Sequence, residues 1–500
     1  MIAQAHSATL AGIDALPVVV EVDLQGGTPD FHLVGLPDKA VQESYHRVVT
    51  AIRNSNLVFP LTKIICNLAP GDVKKEGPAL DLPIAIAILA ASGQVPNSEL
   101  EGTLFLGELG LDGMLRPIDG AVSVALMAHS QNFKRLIVPT ASAAEAAVIP
   151  GLEVYGINSL IDACELLNGS MFFQPFQHAN ADRPQIPEYE VDYSDIKGQK
   201  HAIRALEIAA AGGHNILMTG PPGSGKTMLA RRLPTILPLL SLEESIAVTR
   251  IYSSSGNKAG KEGLIWERPF RSPHHTTSYA ALVGGGKTPK PGEVSLGHFG
   301  VLFLDEMPEF GANVLEALRQ PLEDGVVTVS RVQSTLTFPA ECILVGAMNP
   351  CPCGFKGYPE AKCIGAGVCE KYAGKISGPL MDRIDLHINV PRLKPEELTN
   401  LTPGEQSSAI RERVFRAREL QIKRFGKDKV NAKMAPREIR EMIQMDKECT
   451  EFMAAVSAKL NLSARVFDRL LKVSRTIADL AGSEAVQKVH LSESVQYRSS

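Results

Sequence analysis

Gly220-Pro221-Pro222-Gly223-Ser224-Gly225-Lys226-Thr227 is the stretch on which the reading of this chain turns. An apolar run, Ile216-Leu217-Met218, precedes it, and a helical pattern beginning Met228-Leu229-Ala230 follows. Strand, glycine-rich loop and helix in that order form a cradle for phosphate. Glycines let backbone N–H groups turn inward, and the start of the helix adds a partial positive charge. Lys226 is placed to reach the β- and γ-phosphates of a nucleoside triphosphate, and Thr227 to offer a hydroxyl to Mg²⁺. A glycine-rich turn without chemistry is the competing reading, and the strand–helix context weighs against it.

Val301-Leu302-Phe303-Leu304 reads as a buried strand, and it ends in Asp305-Glu306. Two acids at a strand end can be a solvated edge. Beside a phosphate loop they have roles: Asp305 holds the Mg²⁺ shell and Glu306 polarises the attacking water. The expected cofactors are therefore ATP and Mg²⁺.

At 500 residues the chain is too long for one ordinary core. Residues 1–172 mix strand patterns (Val18 to Val22, Lys63 to Leu68) with a helical one, Ala85 to Ser92. Residues 173–191, rich in Pro, Gln and Asn, read as a linker. Residues 192–392 alternate strand and helix signals, the pattern of a parallel sheet covered on both faces. Residues 393–500 are helical, with apolar spacing over Ser407 to Phe425, Glu438 to Asp446 and Ala464 to Ala481. A net charge of −4 confines any nucleic-acid site to a local stripe. The first lysine is Lys39, so no basic segment marks a signal peptide, and the longest apolar run, Leu82 to Ala91, is too short to cross a bilayer. With eight cysteines and no secretory signal, a reducing cytoplasm is expected.

Further segments narrow the class. Ile343 to Pro350 resembles the sensor-1 strand of AAA+ proteins, with Asn349 between the two Walker motifs orienting the water. Ser377-Gly378-Pro379-Leu380-Met381-Asp382-Arg383-Ile384-Asp385 resembles an arginine-finger segment, from which Arg383 would reach the ATP of a neighbouring subunit. Leu462-Ser463-Ala464-Arg465 followed by Arg469 to Val473 resembles a sensor-2 helix, with Arg465 on the γ-phosphate. For each arginine the plain alternative is a surface salt bridge. Arg268 to Thr276, Gly284-Gly285-Gly286 and the ending Val495-Gln496-Tyr497-Arg498 are similar to the magnesium-chelatase-like ComM/YifB family of bacteria, over essentially the whole chain. That resemblance implies an AAA+ P-loop core of α/β type with a helical lid. It also implies a hexameric ATPase that drives DNA branch migration and strand exchange during natural transformation and homologous recombination. The partners it implies are single-stranded and branched DNA, other copies of the chain, and a recombinase.

Asp72 to Leu82 and Gly107 to Gly113 resemble the Lon-type protease domain, an α+β fold like that of ribosomal protein S5. The family's catalytic serine aligns with Ala79 and its lysine near Val122, so the expectation is a non-catalytic relative.

Cys351, Cys353, Cys363 and Cys369 fall in a Gly- and Pro-rich stretch after sensor 1. Four thiolates this close can close a tetrahedral Zn²⁺ site. The first pair is C-x-C rather than C-x-x-C, and reduced or redox-labile thiols are the competing readings. His274 and His275 lack partners at ligand spacing and stay outside that set.

For DNA, Arg268, Arg271, Lys287 and Lys290 lie in a stretch without acids from 268 to 292. A subunit interface explains that stretch equally well. Val326 to Ser330 and Thr335 to Phe338 read as two strands around Arg331, the place of the pre-sensor-1 hairpin in the helix-2-insert and pre-sensor-1-hairpin clade of AAA+ proteins that the Arg383 segment resembles, and Arg331 would meet phosphates in a pore. Two other classes remain open: a chelatase motor that helps insert Mg²⁺ into a porphyrin, and a protein-remodelling chaperone. The Lon-like domain argues against the first, and the lack of a clear aromatic–hydrophobic–glycine pore loop against the second.

Overall fold

A computed structural model describes residues 2–176, 189–256, 263–286, 289–330, 335–354, 356, 366–392, 403–427 and 429–498. The chain forms two compact units, Met1–Arg183 with Ser241–Trp266, and Pro184–Leu240 with Glu267–Ser500.

The first unit is built on the hairpin of Ile2–Ala11 and Asp14–Gln25. Val18, Val20 and Val22 are buried while the residues between them are partly exposed, the two-residue period of a half-buried strand. Lys63–Ala69 extends the hairpin antiparallel, burying Ile64, Cys66 and Leu68. The sheet order among the described residues is Asp30–Val34, Lys63–Ala69, Asp14–Gln25, Ile2–Ala11, Thr103–Phe105, Arg135–Pro139, Glu153–Ile157. The apolar run of the sequence becomes the helix Asp81–Ala91, buried on every side, which is what a helix without a polar face requires. Its first residue, Asp81, is buried too; Arg47 answers it with hydrogen bonds of 2.6 and 3.0 Å, and Leu109 N–H donates at 3.2 Å. Burial pushes the Asp81 carboxyl up from its ordinary range against the pull of Arg47. Val122 is wholly buried in apolar packing, and Ala79 packs against the same cluster.

Residues 241–266 come from the middle of the stretch read as ATPase core, yet they pack in this first unit. The helix Leu242–Ser254 starts at a capping box formed by Ser241 and Glu244. Gly120 N–H donates to Ser253 Oγ at 2.7 Å, Arg250 pairs with Asp14 at 2.5 Å, and Leu264 joins the apolar cluster around Val122.

In the second unit a parallel five-stranded sheet runs Phe270–Arg271, Val301–Leu304, Ile343–Met348, Ile216–Thr219, Leu386–Asn389. Ile216, Met218, Val301, Phe303 and Val345 enter one apolar cluster, and Leu217, Leu302, Leu304 and Leu344 another. Covering on both faces explains why these strands read as unbroken apolar runs. Val326–Ser330 and Thr335–Pro339 form an antiparallel hairpin immediately before Ile343–Met348. The helices Ser407–Phe425 and Ala464–Leu480 stand where the spacing predicts them. The helix expected over 438–446 is Pro436–Met442 instead. Asp446 belongs to the next helix, Lys447–Leu460, which it caps by accepting from Cys449 N–H at 2.7 Å. No helix among the described residues is long and apolar enough to cross a membrane.

Candidate nucleotide site

The strand Ile216–Thr219 hands the chain to the glycine loop, and the loop to the helix Lys226–Arg231. Gly225, with φ +92°, makes the turn into that helix, a left-handed conformation that a side chain would oppose. Gly220 lies so close to the Val390 carbonyl that a Cβ would sit 2.2 Å from its oxygen. Position 220 is thereby restricted to glycine by packing as well as by any need to approach phosphate.

The side chains of the loop face those of two neighbouring strand ends. Lys226 Nζ donates to Gly220 O at 2.7 Å, Pro221 O at 3.0 Å and Asn349 Oδ1 at 3.3 Å. Burial draws the Lys226 ammonium below its ordinary value, opposed by Asp305 and Glu306. Thr227 Oγ1 donates to Asp305 Oδ2 at 2.7 Å. A hydroxyl beside a carboxylate is an oxygen donor set of the kind that suits Mg²⁺. Asn349 follows directly on the strand Ile343–Met348, which pairs with both Ile216–Thr219 and Val301–Leu304. The sheet order therefore explains why three motifs distant in sequence meet.

Glu306 is held at φ +50°, an uncommon conformation for a residue with a side chain. Its N–H donates to Asp305 Oδ1 at 3.0 Å, and its exposed carboxylate lies 3.9 Å from His275 Nδ1. Sequence spacing left His275 without a partner; the partner is Glu306, brought there by the strand Phe270–Arg271 running beside Val301–Leu304. No local pattern announces that pair.

Arg383 and Arg465 form a second cluster. Arg383 donates to Pro379 O at 2.6 Å and pairs with the carboxylate of Glu323, and Arg465 lies 3.5 Å from the same carboxylate. The Arg383 hydrogen bond and the charges of Arg383, Arg465 and Arg319 hold Glu323 below the usual carboxylate range. Glu323 is the residue that sequence reasoning missed, an ordinary acid near the end of the helix Arg319–Asp324.

The basic residues read as DNA contacts have mixed surroundings. Arg268 donates to Pro238 O and Phe299 O, each at 2.7 Å, which ties down loops of its own unit. Arg271 makes a two-point pair with Glu293 at 2.7 and 2.8 Å. Glu293 is the residue directly after the acid-free stretch, so a gap in sequence is closed in space. Lys290 is exposed on a short strand pairing with Gly284–Gly285. Lys287 and Arg331 lie outside the described residues.

Cys351 and Cys353 place their sulfurs 3.0 Å apart, Cys369 is buried on the helix Ala366–Ala373, and Cys363 lies outside the described residues. Among the described residues no group of three or more His, Cys, Asp or Glu side chains is arranged to hold a metal, so the zinc reading gains no support. The turn carrying these cysteines packs on the phosphate loop: a Cβ at Gly354 would lie 2.3 Å from Pro222 Cδ.

Comparison with known proteins accords with this geometry. The family described as magnesium chelatase, subunit ChlI, matches residues 192–398; the subunit ChlI of Mg-chelatase family matches 20–142, and the ChlI C-terminal family 404–498. The chain is 43% identical to competence protein ComM of Haemophilus influenzae, covering 99% of this chain and 96% of that one. It is 42% identical to YifB of Escherichia coli, again over 99% and 96%. A more distant likeness, 26% identity over 32% of this chain and 21% of the other, joins it to Lon protease 1 of Thermus thermophilus. An AAA+ P-loop core with a helical lid, preceded by a Lon-like α+β domain, accounts for all of these matches.

Proposed function

Because the chain belongs to the ComM/YifB family of magnesium-chelatase-like AAA+ ATPases, we propose that it is a ring-forming, ATP-driven DNA motor that promotes branch migration and strand exchange in natural transformation. Lys226 and the loop N–H groups hold the phosphates, Thr227 and Asp305 hold Mg²⁺, and Glu306 takes the proton of the attacking water, oriented by Asn349. Bound phosphate replaces the carbonyls of Gly220 and Pro221 as the partner of Lys226. Arg383 completes the site from a neighbouring subunit, so that hydrolysis requires a ring.

One observation supports the DNA reading above others. The hairpin Val326–Ser330 with Thr335–Pro339 leads within a few residues into the strand that ends at Asn349, and Asn349 touches Lys226. Contact of this hairpin with DNA phosphates would pass through one short strand to Asn349 and Lys226. A chelatase motor is the second reading, favoured by the description of the family that matches residues 192–398.

The two are separated by hydrolysis measured with and without single-stranded DNA, and by movement of a labelled three- or four-way junction with ATP and Mg²⁺. The expected result is stimulated hydrolysis and junction movement by the wild type, and neither by Glu306→Gln, which keeps nucleotide binding. Binding to the junction should weaken steeply with salt, because phosphate contacts release counterions. Active rings that ignore DNA at low salt would overturn the motor reading in favour of the chelatase one.

A further inference from the structure

The turn that carries Arg383 is gripped from the lid. Arg469, on the helix Ala464–Leu480, donates from Nη1 to the carbonyls of Met381 at 3.3 Å and Ile384 at 2.5 Å, on either side of Arg383. Two turns further along the same helix, Thr476 Oγ1 lies 2.8 Å from His214 Nε2, and His214 Nδ1 lies 3.1 Å from Asp385. Burial alone would raise the Asp385 carboxyl, but the His214 hydrogen bond and the charges of His214, Arg469 and Lys472 hold it below the usual range. From the sheet side, Asn215 Nδ2 donates to Arg383 O at 2.9 Å while its Oδ1 accepts from Leu344 N–H, in the strand leading to Asn349, at 2.8 Å.

We propose that Arg469 is a positioning residue for hydrolysis: it fixes the finger turn 381–385 to the lid helix, so that Arg383 moves with the lid that carries Arg465. The inference rests on the reading of Arg383 as a finger. The physical case is one of satisfied carbonyls. A short turn leaves C=O groups pointing outward, and a guanidinium is the side chain whose several N–H donors can hold two of them at once. The hydrogen bonds of Arg469 go to the turn and not to Lys226, Thr227, Asp305 or Glu306, so the proposal routes its action on ATP through the turn. A misplacement of about 1 Å at a charge-stabilising group can cost on the order of 10²-fold in rate. The same displacement leaves the nucleotide's own cradle untouched.

The test compares Arg469→Ala, Arg469→Lys, Arg383→Ala and the double variant Arg383→Ala/Arg469→Ala in assembled rings, with nucleotide affinity measured apart from turnover. Arg469→Ala is expected to lower turnover on the order of 10²-fold with affinity unchanged, and Arg469→Lys, which keeps the charge and fewer donors, to lie between. The double variant should be no slower than Arg383→Ala alone, because both changes remove one device. Mixing Arg469→Ala with Lys226→Ala subunits should restore part of the rate, as intact fingers then face intact phosphate loops. Full turnover by Arg469→Ala beside a slow Arg383→Ala would overturn this inference and leave the finger standing. Additive losses in the double variant would overturn it as well. A fully active Arg383→Ala would remove the finger reading and this inference together. Should Arg469→Ala not fold, Arg469→Gln, which keeps a donor of similar reach, is judged by the same outcomes.

Discussion

Lys226, Thr227, Asp305 and Asn349 answer one another inside one chain, whereas Arg383 and Arg465 meet on Glu323, an acid that stands in solvent. In the first cluster Lys226 is buried where a sheet, a loop and a helix converge, Thr227, Asp305 and Asn349 are half-buried, and the bonds among them run from 2.7 to 3.3 Å. The second depends on a carboxylate that water screens, and such exposed pairs contribute little to stability. Arg383 itself is largely buried and is held by Pro379 O as well as by Glu323, so only the acid end of its pair is open to solvent. On the proposed function the two clusters have different duties, one to bind nucleotide within the subunit and one to be lent across an interface.

The largest effect is expected from breaking the first half. Lys226→Ala removes the cation of the cradle, and nucleotide binding should be lost along with all hydrolysis, as read by titration with a fluorescent ATP analogue. Retained affinity would mean that the loop N–H groups suffice and that Lys226 serves only turnover. Breaking the second half should act differently. Arg383→Ala should bind ATP normally, still assemble, and hydrolyse on the order of 10³-fold more slowly. Rings mixed from Lys226→Ala and Arg383→Ala subunits contain interfaces with one intact loop and one intact finger. Those mixtures should regain part of the rate; with mixing verified, no recovery would place Arg383 within its own subunit's site.

The same contrast marks what the sequence could disclose. The Walker residues are legible because their chemistry needs fixed spacing on one strand–loop–helix unit, and Lys226 and Thr227 cannot serve it from elsewhere. Glu323 and His275 leave no such trace, and Arg469, though it lies in the sensor-2 segment, gives no sign of the turn it holds: the partner of each lies on another element. The two lists of strands and helices diverge for a similar reason. Asp446 fits the apolar period of a continuing helix, and only the N–H of Cys449 shows it to be the cap of the next one. The helix Leu242–Ser254 lies within a stretch of alternating strand and helix signals, so nothing local tells that it packs with the unit of Val122 and Gly120. The acid-free stretch was misleading in the opposite direction, since Glu293 returns to Arg271.

The smallest expected effect sharpens the comparison by pH. His387 lies behind the finger turn, with Nε2 3.1 Å from Ile384 O. Burial, with the charge of Arg469 assisting, pushes its pKa down to about 4 from the ordinary 6.5. The folded chain therefore keeps His387 neutral where the unfolded chain protonates it. The unfolded state binds the extra proton between pH 6.5 and about 4, so stability falls as pH drops through that window and levels off below it. The loss amounts to about 2 kcal/mol by pH 5 and about 3 kcal/mol at the bottom of the window. Asp385 next to it is held below its ordinary value, so its own contribution is lost only in stronger acid. Denaturant midpoints of wild type and His387→Gln, measured from pH 7 to pH 4.5, should diverge: the wild-type curve slopes downward and the variant's is flatter by that amount. The acid weakness then lies behind Arg383 rather than beside Lys226. Parallel curves would show that His387 takes up its proton in the folded chain, and that Arg469 and the finger turn enclose it less tightly than the 3.1 Å contact implies.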